Sequence, residues 1–217
     1  EEYADPANAL TKTRSRVYDA LNRLQKDIGG VAGQVTQFAY DANGNQTGTT
    51  DPLPRTTTQT YDALNRLLQV IDPVNGSTAP TKYEYDPQDN LTKVTDPKNL
   101  STVYVYNGFN ELTSQVSPDT GTTSFTHYPG GNMETKTDAR GVKSTYTYDA
   151  LNRVKTIKYA AFSPDPEETV TYVYDTCTNG KGHLCSITDK TGTTSFSYDI
   201  RGRILSKSQA MLAIGTT

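Results

Sequence analysis

The chain has 217 residues, of which 34% are hydrophobic and none is Trp, and its mean hydropathy is -0.66. A composition this polar excludes a thick conventional core, while 15 Tyr and abundant Thr and Val exclude a disordered chain, because disordered segments are poor in aromatic and β-branched residues. The net charge of -3, with both signs interspersed, excludes nucleic acid as a partner, and no apolar run is long enough for membrane insertion.

The first residues, EEYADPANAL, have neither the basic nor the apolar region of a secretory signal peptide, and they lack an initiator Met. Two interpretations stay open: the chain is a processed product, or it is an excerpt of a longer protein.

The hexapeptide YDALNR occurs at residues 18–23, 61–66 and 148–153, and YDIRGR at residues 198–203 is a close relative. With the Tyr as origin, repeats follow one another roughly every 21 to 26 residues, which predicts a tandem array. The sixth repeat is irregular, and alignment of Asn132 with Asn45 and Asn90 places His127 at its Tyr position. The nine repeats begin at Tyr18, Tyr40, Tyr61, Tyr85, Tyr106, His127, Tyr148, Tyr174 and Tyr198.

The four residues after each Tyr are predicted to form a turn, here called a corner. In DALN and DANG the Asp can accept a backbone hydrogen bond, and the fourth residue must be left-handed, which Gly, Asn and Asp tolerate best. The predicted capping residues are Asp19, Asp41, Asp62, Asp149 and Asp199. The predicted left-handed residues are Asn22, Gly44, Asn65, Asp89, Asn110, Gly131, Asn152 and Gly202. A second turn in each repeat is predicted to use the same chemistry, for example at residues 96–99, 138–141 and 189–192.

Between the turns lie short runs rich in Thr, Val and Tyr, which predict consecutive antiparallel strands. Two strands per repeat bury no face alone, so stability must come from neighbouring repeats. The predicted fold is all-β, a single array over residues 1–217 in which tandem hairpins form one curved antiparallel sheet. Since strands lie about 4.8 Å apart, equivalent rings are expected to form a ladder with wet hydroxyls. The ladder residues are Tyr18, Tyr40, Tyr61, Tyr85, Tyr106, Tyr148, Tyr174 and Tyr198.

Two features of the repeat stay open. Arg23, Arg66 and Arg153 begin the return strands, where they either pair with neighbouring Asp residues or face a lumen. Leu91 and Val94 are three residues apart, so they share a face of the sheet only if a bulge intervenes.

Cys177 and Cys185 are the two cysteines of the chain, and they flank a corner that is four residues longer than the others. His183 stands there where Arg203 stands in the last corner. Cysteines that face each other across such a corner are predicted to form a disulfide, which implies an oxidising compartment.

Other chemistry finds little support. The only histidines, His127 and His183, occupy ordinary repeat positions, so no catalytic residue, metal site or cofactor is predicted. The stretch from Asp41 resembles the start of a calcium loop, but its twelfth residue is Pro52 instead of Glu. Four asparagines match the sequon for N-linked glycan attachment: Asn45, Asn75, Asn90 and Asn99.

The repeat closely resembles that of the RHS or YD-repeat family. Its common features are a YD dipeptide, then Gly or Asn, then Arg or Asn and an aliphatic residue, and later DP or TD and a Gly. The resemblance covers roughly residues 18–209. It implies a long β-strip that spirals into a hollow shell, as in bacterial polymorphic toxins, insecticidal toxin complexes and animal teneurins. Toxin-releasing members end their repeats with a self-cleaving segment around a DPxGL-like signature, and we expect neither that segment nor a toxin domain in this chain.

The resemblance implies a non-catalytic scaffold, secreted or on the cell surface, whose partners are the rest of its shell and an enclosed toxin cargo. An alternative is an extracellular module that binds a receptor or glycan, or that assembles into filaments through its sheet edges with neighbouring copies. An enzyme is the weakest hypothesis, because no nucleophile and base can be nominated.

Overall fold

The computed structural model describes residues 2–4, 10–30, 34–53, 55–73 and 79–212, with no account of the side chains of residues 2–4 and 10–13. Throughout these ranges the regular structure is β-strand, and no helix occurs among them. It follows that none of the described residues lies in a helix able to cross a membrane. The all-β, antiparallel fold class predicted from the repeat is confirmed.

The chain divides into two compact units, residues 1–103 and 104–217. The prediction of a single array over the whole chain stays a prediction. The strands of the first unit are β1 (Glu2–Ala4), β2 (Leu10–Thr13), β3 (Ser15–Tyr18), β4 (Leu24–Ile28), β5 (Val35–Tyr40), β6 (Gln46–Thr50), β7 (Thr56–Tyr61), β8 (Leu67–Ile71), β9 (Thr81–Tyr85) and β10 (Leu91–Thr95).

Strand β11 (Ser101–Tyr106) spans the boundary between the units. The strands that follow are β12 (Leu112–Ser117), β13 (Gly121–His127), β14 (Met133–Thr137), β15 (Lys143–Tyr148), β16 (Val154–Tyr159), β17 (Glu168–Tyr174), β18 (Leu184–Asp189), β19 (Gly192–Tyr198) and β20 (Ile204–Met211).

Within each unit, strands that follow one another in sequence pair antiparallel. In the first unit β3 to β10 form such a ladder, while β1 and β2 pair only with each other among the described residues. In the second unit β12 to β20 do the same. Pairing of sequence neighbours is what short turns between strands of alternating direction allow.

The two strands that a corner connects pair with a bulge next to the corner. Tyr85 lies opposite Leu91 and Glu84 lies opposite Lys93, so one residue of β10 is left without a counterpart. This bulge returns Val94 to the face of Leu91, which answers the question that their three-residue spacing left open. The same shift recurs where β7 meets β8 and where β15 meets β16.

The core is thin, as the composition predicts. Among the described residues only Cys185, Tyr198 and Thr135 are buried apart from a few glycines, and no large side chain is completely buried. Tyr83 and Tyr85 are half-buried on one face of β9, whereas Lys82 and Glu84 on the other face are exposed. The rings therefore cover one face of the strand, and the other face is in water.

Candidate functional site

The corner at residues 62–65 shows how the turn chemistry works. The Asn65 N–H donates to the Asp62 carbonyl at 3.0 Å, and Asn65 has a φ of 63°. The Asp62 carboxylate accepts from the backbone N–H groups of Leu64 and Arg66, both at 2.9 Å. The Asp thus holds the turn, and the left-handed Asn redirects the chain into the return strand.

The other predicted corner residues lie in the same geometry. The fourth residue has a positive φ in Asn22 (60°), Gly44 (92°), Asp89 (67°), Asn110 (62°), Gly131 (84°), Asn152 (60°) and Gly202 (76°). Backbone N–H groups two and four residues on donate to the carboxylates of Asp19, Asp41, Asp149 and Asp199. Local hydrogen bonds of the Asp, and the tolerance of Asn for a left-handed conformation, therefore account for the YDALNR sequence.

The second turns follow this chemistry in two of the three predicted cases. Asn99 and Gly141 have φ values of 63° and 84° and donate to the carbonyls of Asp96 and Asp138. At residues 189–192 the structure differs: Asp189 pairs directly with Gly192, which has a φ of 145°. Only two residues then connect the strands, because Gly192 joins the ladder instead of closing the turn.

The sixth corner covers residues 128–131 and has the hydrogen bonds of the other corners. The Tyr128 N–H donates to the Asn132 carbonyl at 2.8 Å, and the Gly131 N–H donates to the Tyr128 carbonyl at 2.8 Å. Tyr128 therefore stands where other corners have the capping Asp, and His127 stands at the ring position.

Three arginines each connect two successive corners, and we call this arrangement the arginine clamp (Arg23, Arg66 and Arg153). Arg153 Nε donates to Asp149 in its own corner at 2.7 Å, and its terminal nitrogens donate to Asp175 in the next corner at 3.1 and 2.5 Å. Its guanidinium also lies over the Tyr174 ring, 4.3 Å from the centroid. One planar side chain thereby joins two carboxylates and an aromatic face, a combination that suits Arg better than Lys.

The other two clamps repeat this arrangement. The guanidinium carbons of Arg23 and Arg66 lie 4.7 and 4.8 Å from the ring centroids of Tyr40 and Tyr85. Both arginines also donate to the carbonyl of the next capping Asp, at 2.9 and 3.1 Å. The open question about these arginines is thus answered: they pair with their own and the neighbouring corner.

The clamps perturb the acidic groups that they hold. The pKa of the Asp175 carboxyl is lowered from its ordinary 3.8 to about 2, chiefly because Arg153 donates to it. The pKa values of Asp62 and Asp149 are also lowered, and the largest cause is the backbone N–H four residues on. These carboxylates are bound in their charged form, as a structural hydrogen-bond network requires.

Where a corner carries Asn in place of Arg, an amide makes the connection. Asn45 Nδ2 donates to Asp41 at 2.9 Å and to the side-chain oxygen of Asn65, the left-handed residue of the next corner, at 2.7 Å. Asn132 reaches Asn152 in the same way at 3.0 Å. The left-handed Asn therefore has a second role as an acceptor for the preceding corner.

Replacing Arg153 with Lys is expected to lower the free energy of unfolding by about 1 to 2 kcal/mol, because Lys keeps the charge but loses the planar fork and the ring contact. Urea denaturation measures this change. The matched control is Arg203→Lys, since Arg203 bonds to Asp199 but stacks on no ring among the described residues. That change is expected to cost less than about 0.5 kcal/mol. Equal losses in the two variants would contradict the clamp.

Most of the ladder tyrosines donate their hydroxyls to backbone carbonyls of the preceding repeat. The hydroxyl of Tyr85 donates to the Leu67 carbonyl of the preceding repeat at 3.0 Å. A half-buried hydroxyl needs a hydrogen-bond partner. Leu67, which lies next to the bulge in β8, supplies it through its carbonyl. The same bond is made by Tyr40, Tyr61, Tyr148, Tyr174 and Tyr198.

Between the fifth and sixth repeats, both residue types of the clamp are replaced by others. Glu111 stands where the clamp repeats have Arg, and His127 stands where they have Tyr. Nδ1 of His127 is 3.9 Å from the Glu111 carboxylate, too far for a hydrogen bond, and it is buried without a hydrogen-bond partner in the described part of the chain.

Cys177 and Cys185 form a disulfide in the enlarged eighth corner, with their Cα atoms 5.4 Å apart. A side chain at residue 180 would collide with both sulfur atoms, so Gly180 is needed for the loop to pass over the disulfide. His183 stacks on Tyr198 with ring centroids 4.4 Å apart, and it therefore takes the place of the clamp arginine.

Three of the four sequon asparagines lie among the described residues, and they differ in exposure. The amides of Asn45 and Asn90 donate to the capping Asp of their own corners, whereas Asn99 is exposed at a turn. Asn75 lies outside the described residues. A calcium ion at Asp41 would compete with the hydrogen bonds that already occupy both of its carboxylate oxygens.

The RHS Repeat family model matches residues 18–56, 40–78, 61–101, 85–122 and 128–161. The chain belongs to the RHS repeat family. Four of the matches begin at the first Tyr of a repeat, so the family period coincides with the corner-to-corner period. No curated protein matches this RHS repeat chain.

Solved structures of the Tc toxin proteins TcdB2 and TccC3 have a similar fold. TcdB2-TccC3-TEV is 17% identical with a TM-score of 0.68, over 99% of this chain and 13% of that chain. TcdB2-TccC3 is 19% identical with a TM-score of 0.69, over 93% of this chain and 11% of that one. The Photorhabdus luminescens Tc holotoxin pore is 19% identical with a TM-score of 0.66, over 93% and 11%. This RHS repeat chain thus spans little more than a tenth of the structures that it matches.

Proposed function

We propose that this RHS repeat chain is a non-catalytic stretch of wall in a hollow shell that encloses a protein cargo. The observation that carries the proposal is the arginine clamp, in which Arg153 donates to Asp149 in its own corner and to Asp175 in the next. Such side chains are structural, since their donors and acceptors are already engaged within the array.

The fold likeness to TcdB2-TccC3 supports the proposal at the level of architecture. A thin wall with half-buried rings on one face needs no second sheet, and the repeat-to-repeat bonds supply the stability that a thick core would give. The partners in this proposal are the rest of the same shell and an enclosed toxin.

The disulfide supports a secreted or cell-surface destination, because such bonds persist in oxidising compartments. A receptor or glycan as a partner is supported only by the exposed Asn99, and it remains secondary to the shell.

The test uses the complete product of the gene that encodes these residues. Limited proteolysis is expected to spare an enclosed polypeptide in the native protein, and an Asn65→Val variant should expose that polypeptide because one corner of the wall is damaged. Leu64→Val is the control, since Leu64 is 66% exposed at the adjacent turn position and its loss leaves the wall intact. A cryo-EM map of the complete product with no enclosed polypeptide would contradict the shell function.

A further inference from the structure

The fifth corner, residues 107–110, differs from every other corner in its first two residues. Asn107 stands where Asp caps most of the others, and Gly108 follows it where Ala stands in the YDALNR corners. In an Asn-Gly pair the backbone nitrogen of the Gly can attack the side-chain amide carbon of the Asn, because a five-membered ring forms and no Cβ hinders the approach.

Asn-Gly pairs in the described residues begin at Asn43, Asn107 and Asn179, and a further pair at residues 75–76 lies outside them. In two of the three, the Gly nitrogen is already bonded: Gly44 donates to the Asp41 carbonyl at 3.2 Å, and Gly180 donates to the Cys177 carbonyl at 2.9 Å. The Gly108 nitrogen has no acceptor in the described part of the chain, and the space where a Cβ would stand is open. It is therefore the free nucleophile of the three.

The corner also surrounds the Asn107 amide with groups that assist the attack. The amide oxygen accepts from the backbone N–H groups of Phe109 and Glu111, at 2.9 and 3.1 Å. These donors stabilise the negative charge that develops on the oxygen when a nucleophile adds to the carbon, as an oxyanion hole does. The amide nitrogen donates to the Glu111 carboxylate at 2.7 Å, so a proton carrier lies beside the leaving group.

We propose that Asn107 is a site of spontaneous deamidation in the folded protein. The Gly108 nitrogen loses its proton and forms a bond to the side-chain carbon of Asn107. The bond from this carbon to the amide nitrogen breaks, and the nitrogen takes up the proton and leaves as ammonia. Solvent water then opens the cyclic imide and leaves aspartate or isoaspartate at position 107. The sum of the steps consumes one water and releases one ammonia, without an oxidant or a reductant.

The product weakens the fifth corner, because deamidation replaces a hydrogen-bond donor to Glu111 by a carboxylate. Two carboxylates at this separation repel each other. Glu111 stands at the clamp position, so this joint has no clamp arginine to neutralise them. The same contact explains why Asn instead of Asp caps the fifth corner, since the Asn107 amide donates to Glu111. The inference rests on this corner alone and is independent of the shell function.

Peptide mass spectrometry after incubation of the native protein in mildly alkaline buffer measures the conversion at each Asn-Gly pair. Asn43 and Asn179 are matched controls, since their dipeptide is the same and their Gly nitrogens are bonded. We expect Asn107 to convert about tenfold faster than either, below the factor of roughly 100 that one oxyanion donor contributes in enzymes. In urea with reductant the three rates should become equal. Equal rates in the native protein, or a difference that persists in urea, would overturn the inference.

Gly108→Pro removes the nucleophile and keeps the turn, because Pro87 and Pro129 occupy the same position in two other corners. Conversion at Asn107 should then fall to the level of Asn43 or below. Gly108→Ala is a second variant, with the residue of the YDALNR corners, and its Cβ should slow the ring closure. Circular dichroism verifies that both variants are folded. Conversion at the native rate in either folded variant would contradict attack by the Gly108 nitrogen.

Asn107→Asp reproduces one product and measures its effect on stability. At neutral pH the equilibrium constant for unfolding should rise about tenfold, the effect of losing one hydrogen bond and adding a like charge. Adding Glu111→Gln should reverse most of this rise, because an amide can donate to the new carboxylate. An Asn107→Asp variant as stable as the native protein would overturn the weakening of the corner. None of these results bears on whether the complete gene product encloses a cargo.

Discussion

An Asn65→Val variant is expected to lose about 2 to 3 kcal/mol of unfolding free energy, since a β-branched residue is strained at positive φ. Asn65 has a φ of 63°, and its side-chain oxygen accepts from both Asn43 and Asn45. The substitution therefore affects both the turn and the connection between two corners. Urea denaturation monitored by circular dichroism measures the loss.

Two controls separate these contributions. Asn65→Gly keeps the left-handed conformation but removes the acceptor, so its expected cost is about 0.5 to 1.5 kcal/mol, the usual contribution of hydrogen bonding. Leu64→Val changes an exposed residue at the adjacent position and should alter stability by less than about 0.5 kcal/mol. An Asn65→Val protein as stable as the native chain would refute the corner assignment.

Removal of the disulfide by Cys177→Ser with Cys185→Ser is expected to cost about 2 to 3 kcal/mol, the value for closing a short loop. The eighth corner needs this bond because it is longer than the others and lacks the clamp arginine. Hydrogen exchange should rise in the loop, where the Asn179 amide donates to the Tyr198 carbonyl at 2.9 Å.

A reducing agent serves as the matched comparison for this variant. Native protein in reductant should unfold at the same urea concentration as the double variant, and the double variant itself should not respond to reductant. Identical midpoints for native protein with and without reductant would show that the disulfide does not stabilise the corner.

The corners were predictable because their determinants are local. A capping Asp, two residues compatible with right-handed helical angles and a left-handed Asn or Gly lie within four residues, and each acts through its own backbone. The same holds for the irregular sixth corner, where Gly131 and Asn132 identified the turn although His127 replaced the Tyr.

The sequence left the clamp as one of two alternatives, because the choice depends on the register between strands of different repeats. Arg153 and Asp175 are 22 residues apart in the sequence, and they meet only when β16 and β17 pair in one particular register. A signal was nevertheless present: each of the three clamp arginines precedes a repeat whose ring position is Tyr. In contrast, Glu111 precedes His127.

The sequence by itself determined the corners, the strand order within each unit and the position of the disulfide, because short-range hydrogen bonds and conformational tolerance control them. Only the tertiary structure decided where the tyrosine hydroxyls donate, that the arginines join successive corners, and that Leu91 and Val94 share a face. These features follow from bulges and from strand register, in which a one-residue change moves every side chain to the opposite face.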